Sequence, residues 1–199
     1  MNIKYPSDYC VYDTETTGLD TATCRVVELA VKRVVGGHSE IFSWLIKPDS
    51  PLTEEELKVC REITGIDPAQ LEVEGIPMLD AVEKFKQVTA GLPLVGHNIF
   101  RYDNVIMMRF IPNFLDIAER CVDTAAIFKA ERMRETPFWY ESHQGFASRI
   151  LNMRTPGLKF NLGYACDQLG IDVSGIVAHR AGGDVEMCDR LYRKLSSGL

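Results

Sequence analysis

Two acidic side chains lie two positions apart near the amino terminus, in Val11-Tyr12-Asp13-Thr14-Glu15. The apolar run from Tyr9 to Tyr12 predicts a buried strand, and Thr16-Thr17-Gly18 supplies a turn that would end it. Because alternate residues of a strand point to the same face, Asp13 and Glu15 would lie side by side. Neighbouring carboxylates are hard oxygen ligands of the kind that Mg²⁺ and Mn²⁺ prefer. For this pair alone, an aspartate that forms a turn beside a solvated glutamate is an equally simple interpretation.

Two further motifs carry side chains of the same chemistry. Val95-Gly96-His97-Asn98-Ile99-Phe100-Arg101-Tyr102-Asp103 predicts a buried strand, a loop and a helix whose first turn holds Asp103. In His179-Arg180-Ala181-Gly182-Gly183-Asp184, the aspartate begins the last predicted helix and the histidine precedes it by five positions. Taken singly, each has an ordinary explanation. An acidic residue in the first turn of a helix is favoured by the helix dipole, and a loop histidine is usually a polar surface residue.

The elements that must position these residues follow from the pattern of apolar residues. Segments 25–35 and 40–46 are rich in Val, Ile, Phe and Trp and are separated by Gly36-Gly37, which predicts a hairpin. A second buried strand is predicted from Leu92 to Val95. Helices are predicted to begin after Thr53, to run from Met78 to Val88, and to lie at about 103–111, 124–133, 161–169 and 183–195. Three hairpin-like strands followed by alternating helix and strand favour an α/β fold, a mixed sheet with helices on both faces.

Length and composition restrict the class of protein. At 199 residues and 46% hydrophobic content, the chain predicts one domain over residues 1–199. No apolar leader or run of membrane-spanning length is present, so we expect a cytoplasmic protein with no membrane partner. None of the six cysteines forms a C-x-x-C pair, which favours reduced, mostly buried thiols over a zinc site.

Together, the three motifs resemble the DEDDh branch of the DnaQ-like 3′-to-5′ exonucleases, a family that includes proofreading subunits of bacterial DNA polymerase III. The resemblance covers nearly the whole chain. It extends to the segments between the motifs, which are Leu45-Ile46-Lys47-Pro48, Ile63-Thr64-Gly65-Ile66, Val122-Asp123-Thr124, Leu162 and Leu169-Gly170-Ile171. A histidine followed by four residues and then Asp184 matches the histidine branch rather than the branch with tyrosine in that role.

This resemblance implies a ribonuclease H-like fold, with a mixed five-stranded sheet of three antiparallel and then parallel strands flanked by helices. It also implies a site that holds two divalent metal ions, Mg²⁺ or Mn²⁺, on Asp13, Glu15, Asp103 and Asp184. Asp13 would bridge both ions, and His179 would be the general base. The net charge of −6 would become −2 without those four carboxylates, so phosphate binding would depend on bound metal.

By the same resemblance, a set of residues near the motifs would hold the terminal nucleotide: Thr14, Thr16, Gly18, Leu19, His97, Asn98 and Phe100. Leu19 and Phe100 would offer apolar faces to the bases, and core packing is the alternative role for both. The second motif departs from the family pattern, in which the aspartate follows Asn98 by four positions and is preceded by Phe. Here Asp103 is five positions after Asn98 and follows Tyr102. Asp103 stays the best candidate metal ligand, but the extra residue weakens the assignment of Phe100 to nucleotide binding.

The segment from Lys129 to Lys159 is longer than the family pattern leads us to expect, with a basic and aromatic insertion at about 134–157. It carries six Lys or Arg against three Glu, with aromatic residues between them. Cations beside aromatics suit an edge that binds a nucleic-acid strand. A surface insertion packed on the domain and a docking site for another protein are equally open alternatives.

The expected function is metal-dependent 3′-to-5′ exonuclease activity on 3′ ends of single-stranded or frayed nucleic acid, with DNA favoured and nucleoside 5′-monophosphates released. The alternatives are an RNA-specific 3′-5′ exoribonuclease and a catalytically silent nucleic-acid-binding or proofreading subunit. A DNA polymerase is a candidate partner, although the end of the sequence fifteen residues after Asp184 favours a stand-alone enzyme. The sequence leaves the oligomeric state open.

Overall fold

A five-stranded mixed sheet forms the centre of the computed structural model, which describes residues 5–114, 117 and 120–197. The strands are β1 (Tyr9–Thr16), β2 (Val26–Val35), β3 (His38–Leu45), β4 (Leu94–Gly96) and β5 (Val122–Asp123), in the order β3-β2-β1-β4-β5. β1 pairs antiparallel with β2, as β2 does with β3, whereas β4 is parallel to both β1 and β5. The predicted mixed sheet is therefore confirmed.

The hairpin between β2 and β3 closes through Gly36 and Gly37, as predicted. Both residues have positive φ angles, 57° and 81°. A two-residue hairpin turn of this kind needs left-handed backbone at both positions, which glycine adopts without steric cost.

Helices occupy about half of the described residues outside the sheet. They are α1 (Glu54–Val59), followed directly by a π-helical turn (Cys60–Thr64), then α2 (Pro68–Val73), α3 (Met78–Thr89), α4 (Asp103–Met107), α5 (Thr124–Met133), α6 (His143–Asn152), α7 (Leu162–Gln168) and α8 (Ala181–Ser196). The predicted start after Thr53 is confirmed, because the Thr53 hydroxyl accepts from the Glu56 N–H while the Glu56 carboxylate accepts from the Thr53 N–H.

The two faces of the sheet pack against different helices. On one face Tyr12 and Leu29 share a core with Phe85 of α3. On the other face Val11 and Ala30 share a core with Val185 and other residues of α8. Because side chains alternate along a strand, residues of β1 with odd numbers point towards α8.

Three elements differ from expectation. The helix predicted over 103–111 ends at Met107. β5 has only two residues, too few for an apolar pattern to show, and it forms because Val122 and Asp123 pair with Val95 and Gly96. The insertion at 134–157 contains a regular helix, α6, capped by Ser142. Among the described residues, no helix is both long and apolar enough to cross a membrane. The ends of the predicted 1–199 domain, residues 1–4 and 198–199, lie outside the described residues.

Candidate active site

Three carboxylates from distant parts of the chain meet at the centre of the sheet. Asp13 and Glu15 lie on the β1 face that points towards α8, and Asp184 is in the first turn of α8. One carboxylate oxygen of each lies within 4.8 Å of the other two. The packing of Val11 and Val185 in a shared core holds β1 and α8 together, so these acidic groups are placed by the apolar contacts below them.

The proximity of these groups and their partial burial disfavour their charged forms. The pKa of Glu15 is raised to about 8, first by burial and then by the charges of Asp184, Glu28 and Asp103. The pKa of Asp13 is raised well above its ordinary value by burial and by the neighbouring carboxylates, Asp103 first. Burial also raises the pKa of Asp184, an effect that nearby His179 partly offsets. The cluster is therefore short of positive charge.

Asp103 lies beside this cluster but outside the group of mutually close oxygens. It is buried at the start of α4, and its Oδ1 accepts hydrogen bonds from the backbone N–H and the hydroxyl of Thr14, at 3.0 and 2.6 Å. Burial raises its pKa to about 6, and the Thr14 hydrogen bonds oppose that rise. Thr14 was predicted to contact substrate, but its N–H and its hydroxyl both donate to Asp103 and so link the first motif to the second.

His179 lies in the exposed loop that leads into α8. Its backbone φ is 60°, in the left-handed region that residues other than glycine seldom adopt. The loop brings the imidazole close enough to Asp184 to affect the pKa of that carboxyl. The structure therefore brings Asp13, Glu15, Asp184 and His179 to one place, with Asp103 adjoining.

A buried ion pair that the sequence reasoning missed adjoins the cluster. Glu28 of β2 faces Glu15 in the strand register, and only 3% of its surface is exposed. Its carboxylate accepts from Nε of Arg180 at 3.0 Å, from Nη2 of Arg180 at 3.2 Å, from the N–H of Ala181 at 3.1 Å and from the Ser43 hydroxyl at 2.7 Å. The available signal was a single glutamate inside the apolar run Val26-Val27-Glu28-Leu29-Ala30.

The predicted nucleotide-binding residues of the first motif are arranged around Tyr102. The Tyr102 hydroxyl lies 2.5 Å from the hydroxyl of Thr16 and 2.5 Å from the carbonyl oxygen of Gly18. Tyr102 stands where the family pattern has Phe, and its hydroxyl makes contacts that a Phe could not make. Leu19 is 90% exposed, so core packing is not its role.

The predicted nucleotide-binding residues of the second motif differ in whether their side-chain polar groups already have hydrogen-bond partners. Both ring nitrogens of His97 have partners, the Thr124 hydroxyl and the Phe160 carbonyl oxygen, and burial lowers the pKa of this imidazole to about 4. Asn98 has a φ of 64°, and its Oδ1 is buried without a hydrogen-bond partner among the described residues. Phe100 is half-buried against the cores on both sides of its loop.

Asp123 holds the loop that carries those residues. Its buried carboxylate accepts from the N–H groups of Asn98 and Phe100 and from those of Ala125 and Ala126 at the start of α5. In the sequence Asp123 belongs to a spacer between motifs, and its contacts with both the loop and the helix are visible only in the structure.

The basic and aromatic insertion divides into a packed part and an exposed part. Lys129 is buried and donates to two carbonyl oxygens, and Phe146 is a core residue. The Arg149 guanidinium is bound by Glu135 and Glu141. Three consecutive aromatics remain exposed, namely Phe138, Trp139 and Tyr140, the Trp by 87%. Packing on the domain thus explains part of this segment and leaves the exposed aromatics open.

Solved structures share this architecture at low sequence identity. The zinc-bound complex of E. coli ExoI with ssDNA matches with a TM-score of 0.68 and 19% identity, covering 96% of this chain and 40% of that one. Exonuclease I from Methylocaldum szegediense matches with a TM-score of 0.66 and 21% identity, covering 97% and 42%. At these identities the likeness shows the fold.

The sheet order and these neighbours show a ribonuclease H-like fold. The family model described as Exonuclease, RNase T, matches residues 10–192. The chain therefore belongs to this family, among the DnaQ-like 3′-5′ exonucleases.

Curated relatives by sequence are much longer proteins. DNA polymerase III PolC-type of Mycoplasmopsis pulmonis is 30% identical over 124 residues, which cover 61% of this chain and 8% of the polymerase. The PolC-type polymerase of Latilactobacillus sakei is 26% identical over 193 residues, 95% of this chain and 11% of the polymerase. This chain thus corresponds to a small part of either relative.

Proposed function

We propose that this domain is a metal-dependent 3′-to-5′ exonuclease that hydrolyses phosphodiester bonds at the 3′ ends of single-stranded or frayed nucleic acid, preferably DNA, and releases nucleoside 5′-monophosphates. The observation that carries the proposal is the convergence of Asp13, Glu15 and Asp184, whose oxygens lie within 4.8 Å of one another. Residues 171 positions apart in the chain meet here, in a fold shared with known exonucleases.

The donor set fits hard divalent cations. All the groups are carboxylates, the kind of ligand that Mg²⁺ and Mn²⁺ prefer, and the raised pKa values of Asp13 and Glu15 indicate missing positive charge. Asp13, Glu15 and Asp184 would hold metal directly, and Asp103 would complete the set for a second ion. Two bound ions would supply a nucleophilic hydroxide and stabilise the leaving oxygen. Their four positive charges would balance the four carboxylates.

His179 would accept the proton of the attacking water. An imidazole takes up a proton near neutral pH, and the exposed loop position leaves this ring accessible to water and substrate. Its closeness to Asp184 places it at the edge of the carboxylate cluster. The strand end would enter beside it, with the 3′-terminal nucleotide between Leu19, which is exposed, and the loop of Asn98 and Phe100.

The similar proteins support the preference for DNA and suggest a partner. The matched zinc-bound ExoI structure is a complex with ssDNA, and the curated relatives are DNA polymerases. We therefore propose single-stranded DNA as the preferred polymer and a DNA polymerase as a candidate partner. All six cysteines are buried and unpaired, as expected for a domain that works in the reducing cytosol.

The decisive experiment follows the shortening of single-stranded DNA and RNA of one sequence, labelled at the 5′ end or at the 3′ end. The purified domain is incubated with Mg²⁺, with Mn²⁺ or with EDTA. We expect a ladder of 5′-labelled products, immediate release of 3′-terminal label as mononucleotide, dependence on metal, and faster loss of DNA.

Two variants identify the chemistry. Asp184→Asn and His179→Ala should each slow hydrolysis by at least two orders of magnitude while leaving the circular dichroism spectrum unchanged. If neither polymer shortens in the presence of metal, the domain is a binding module. If shortening begins at the 5′ end, the proposed polarity is wrong.

A further inference from the structure

The strand next to the carboxylate cluster holds a further carboxylate, Glu28, which is buried. This side chain faces Glu15 across the β1–β2 pair, and its charge raises the pKa of that residue. An additional anion at this place would seem to make the cluster still less stable. Glu28 is instead matched by Arg180, whose Nε and Nη2 both bind the same carboxylate.

We propose that Glu28 and Arg180 form a positioning clamp that holds His179 and the start of α8 against the carboxylate cluster. Neither residue is proposed to touch the substrate or metal. The inference rests on the proposed nuclease function for its purpose, but the positioning itself can be measured without any catalysis.

The anchor of the clamp is rigid. Glu28 lies in a strand that is paired on both sides, and Ser43 of the neighbouring strand β3 donates to its carboxylate at 2.7 Å. The other partner is the start of α8, where Arg180 is the N-cap residue and Ala181 is the first helical residue. Together they donate three hydrogen bonds to Glu28. Bidentate Arg–carboxylate pairs fix orientation as well as distance.

The loop needs such an anchor because it approaches α8 closely in a strained conformation. A Cβ atom on Gly183 would lie 1.9 Å from the carbonyl oxygen of Val177, so the loop passes directly over the first turn of the helix. The left-handed backbone of His179 must be stabilised by its surroundings. At the other end of the loop, Arg190 donates to the carbonyl oxygen of Asp172 at 2.6 Å. The clamp therefore secures the end that carries the proposed base.

The test compares Arg180→Gln and Arg180→Lys with Arg193→Gln. Arg193 is a matched control, because it lies on α8, is partly exposed, and donates to a buried carboxylate, that of Asp189, away from the cluster. A displacement of about 1 Å at a catalytic group can cost a hundredfold in rate. We expect kcat to fall about 10- to 100-fold in Arg180→Gln and less in Arg180→Lys, with wild-type kcat in Arg193→Gln and similar thermal shifts in all three.

A double variant separates positioning from a general structural role. If Arg180 acts through His179, adding Arg180→Gln to His179→Ala should slow the enzyme by less than twofold beyond His179→Ala alone. Losses that multiply would overturn the proposal, as would an equal loss of kcat in Arg193→Gln.

The non-catalytic readout is the imidazole Cε1–H resonance of His179, assigned by its absence in His179→Ala. Bound Mn²⁺ speeds the relaxation of nearby protons with the inverse sixth power of distance, so at equal, substoichiometric Mn²⁺ occupancy the relaxation of this proton should be at least about twofold slower in Arg180→Gln than in wild type. Equal broadening in both proteins would refute the clamp. If the wild-type signal broadens but no nucleic acid is degraded, the proposed function fails while the clamp stands.

Discussion

Replacing Glu15 by Gln should stabilise the metal-free domain while it destroys the proposed metal site. In the folded chain the pKa of Glu15 is raised to about 8, first by burial and then by the carboxylates around it. Between its ordinary value of 4.5 and 8, the folded state therefore holds a proton that the unfolded chain has released. Stability must fall as pH rises through this window, because the unfolded state binds fewer protons there.

The size of the effect follows from the shift. Each pKa unit corresponds to about 1.4 kcal/mol, and partial exposure of the Glu15 side chain reduces the full conversion to about 2–4 kcal/mol at pH 8. Glutamine carries no charge and avoids this cost. For a domain of this size, 1 kcal/mol shifts Tm by roughly 2–4 °C. In EDTA at pH 8 we therefore expect Glu15→Gln to melt roughly 4–15 °C above wild type.

Calorimetry at two pH values and with metal tests the reasoning. At pH 5 in EDTA the two proteins should melt at nearly the same temperature, since wild-type Glu15 then stays protonated when folded. At pH 8 with Mg²⁺ at a thousand times its dissociation constant, wild type should gain about 4.1 kcal/mol and the order should reverse.

Glu56 provides a control of opposite sign. Its hydrogen bonds to Arg25 lower its pKa to about 2, so its charge stabilises the fold and Glu56→Gln should melt below wild type at pH 8. If Glu15→Gln instead melts at or below the wild-type temperature in EDTA at pH 8, repulsion among the carboxylates does not govern the stability of this site.

Three further substitutions probe the surroundings of the site. Gly183→Ala should lower kcat about a hundredfold, because the new Cβ would lie 1.9 Å from the Val177 carbonyl oxygen. Gly182→Ala is the control and should retain wild-type kcat, because a Cβ there has no neighbouring atom within 4 Å. Trp139→Ala should raise KM about tenfold for a ten-nucleotide strand and leave it unchanged for a dinucleotide if the exposed indole stacks on a base, which is worth about 1–3 kcal/mol. Equal KM values for the long strand would favour protein docking at the insertion. Asp123→Ala should destabilise the fold by several kcal/mol in urea unfolding, since four buried N–H groups lose their acceptor; a loss below 1 kcal/mol would show that water replaces it.

Local sequence patterns were sufficient for most of the fold. The hairpin at Gly36 and Gly37 needs left-handed backbone that glycine supplies, and the capping box at Thr53 marks a helix start without reference to the rest of the chain. β5 lacks such a signal, because two residues show no periodicity and their strand exists only through pairing with β4.

The same distinction applies to the site. The spacing of Asp13 and Glu15 put both carboxylates on one face of a strand, since side chains alternate. The resemblance of the three motifs to the family pattern implied that Asp103, His179 and Asp184 belong with them. The sequence could not show that His97 has partners at both ring nitrogens, or that Tyr102 reaches Thr16 and Gly18. Those contacts join residues 27 to 86 positions apart.

What the sequence by itself determined is the exonuclease family, because the residue types and the order of the three motifs can be read from the chain without its structure. It also determined the α/β architecture, because apolar periodicity and turn residues act locally. Only the tertiary structure decided which charges meet. Glu28 and Arg180 are 152 positions apart, and although the apolar run around Glu28 indicates a buried glutamate, no local pattern identifies Arg180 as its partner. Packing of α8 on the sheet brings them together, because the burial of apolar surface sets the distance between helix and sheet. Polar groups buried at that contact then need hydrogen-bond partners on the opposite element.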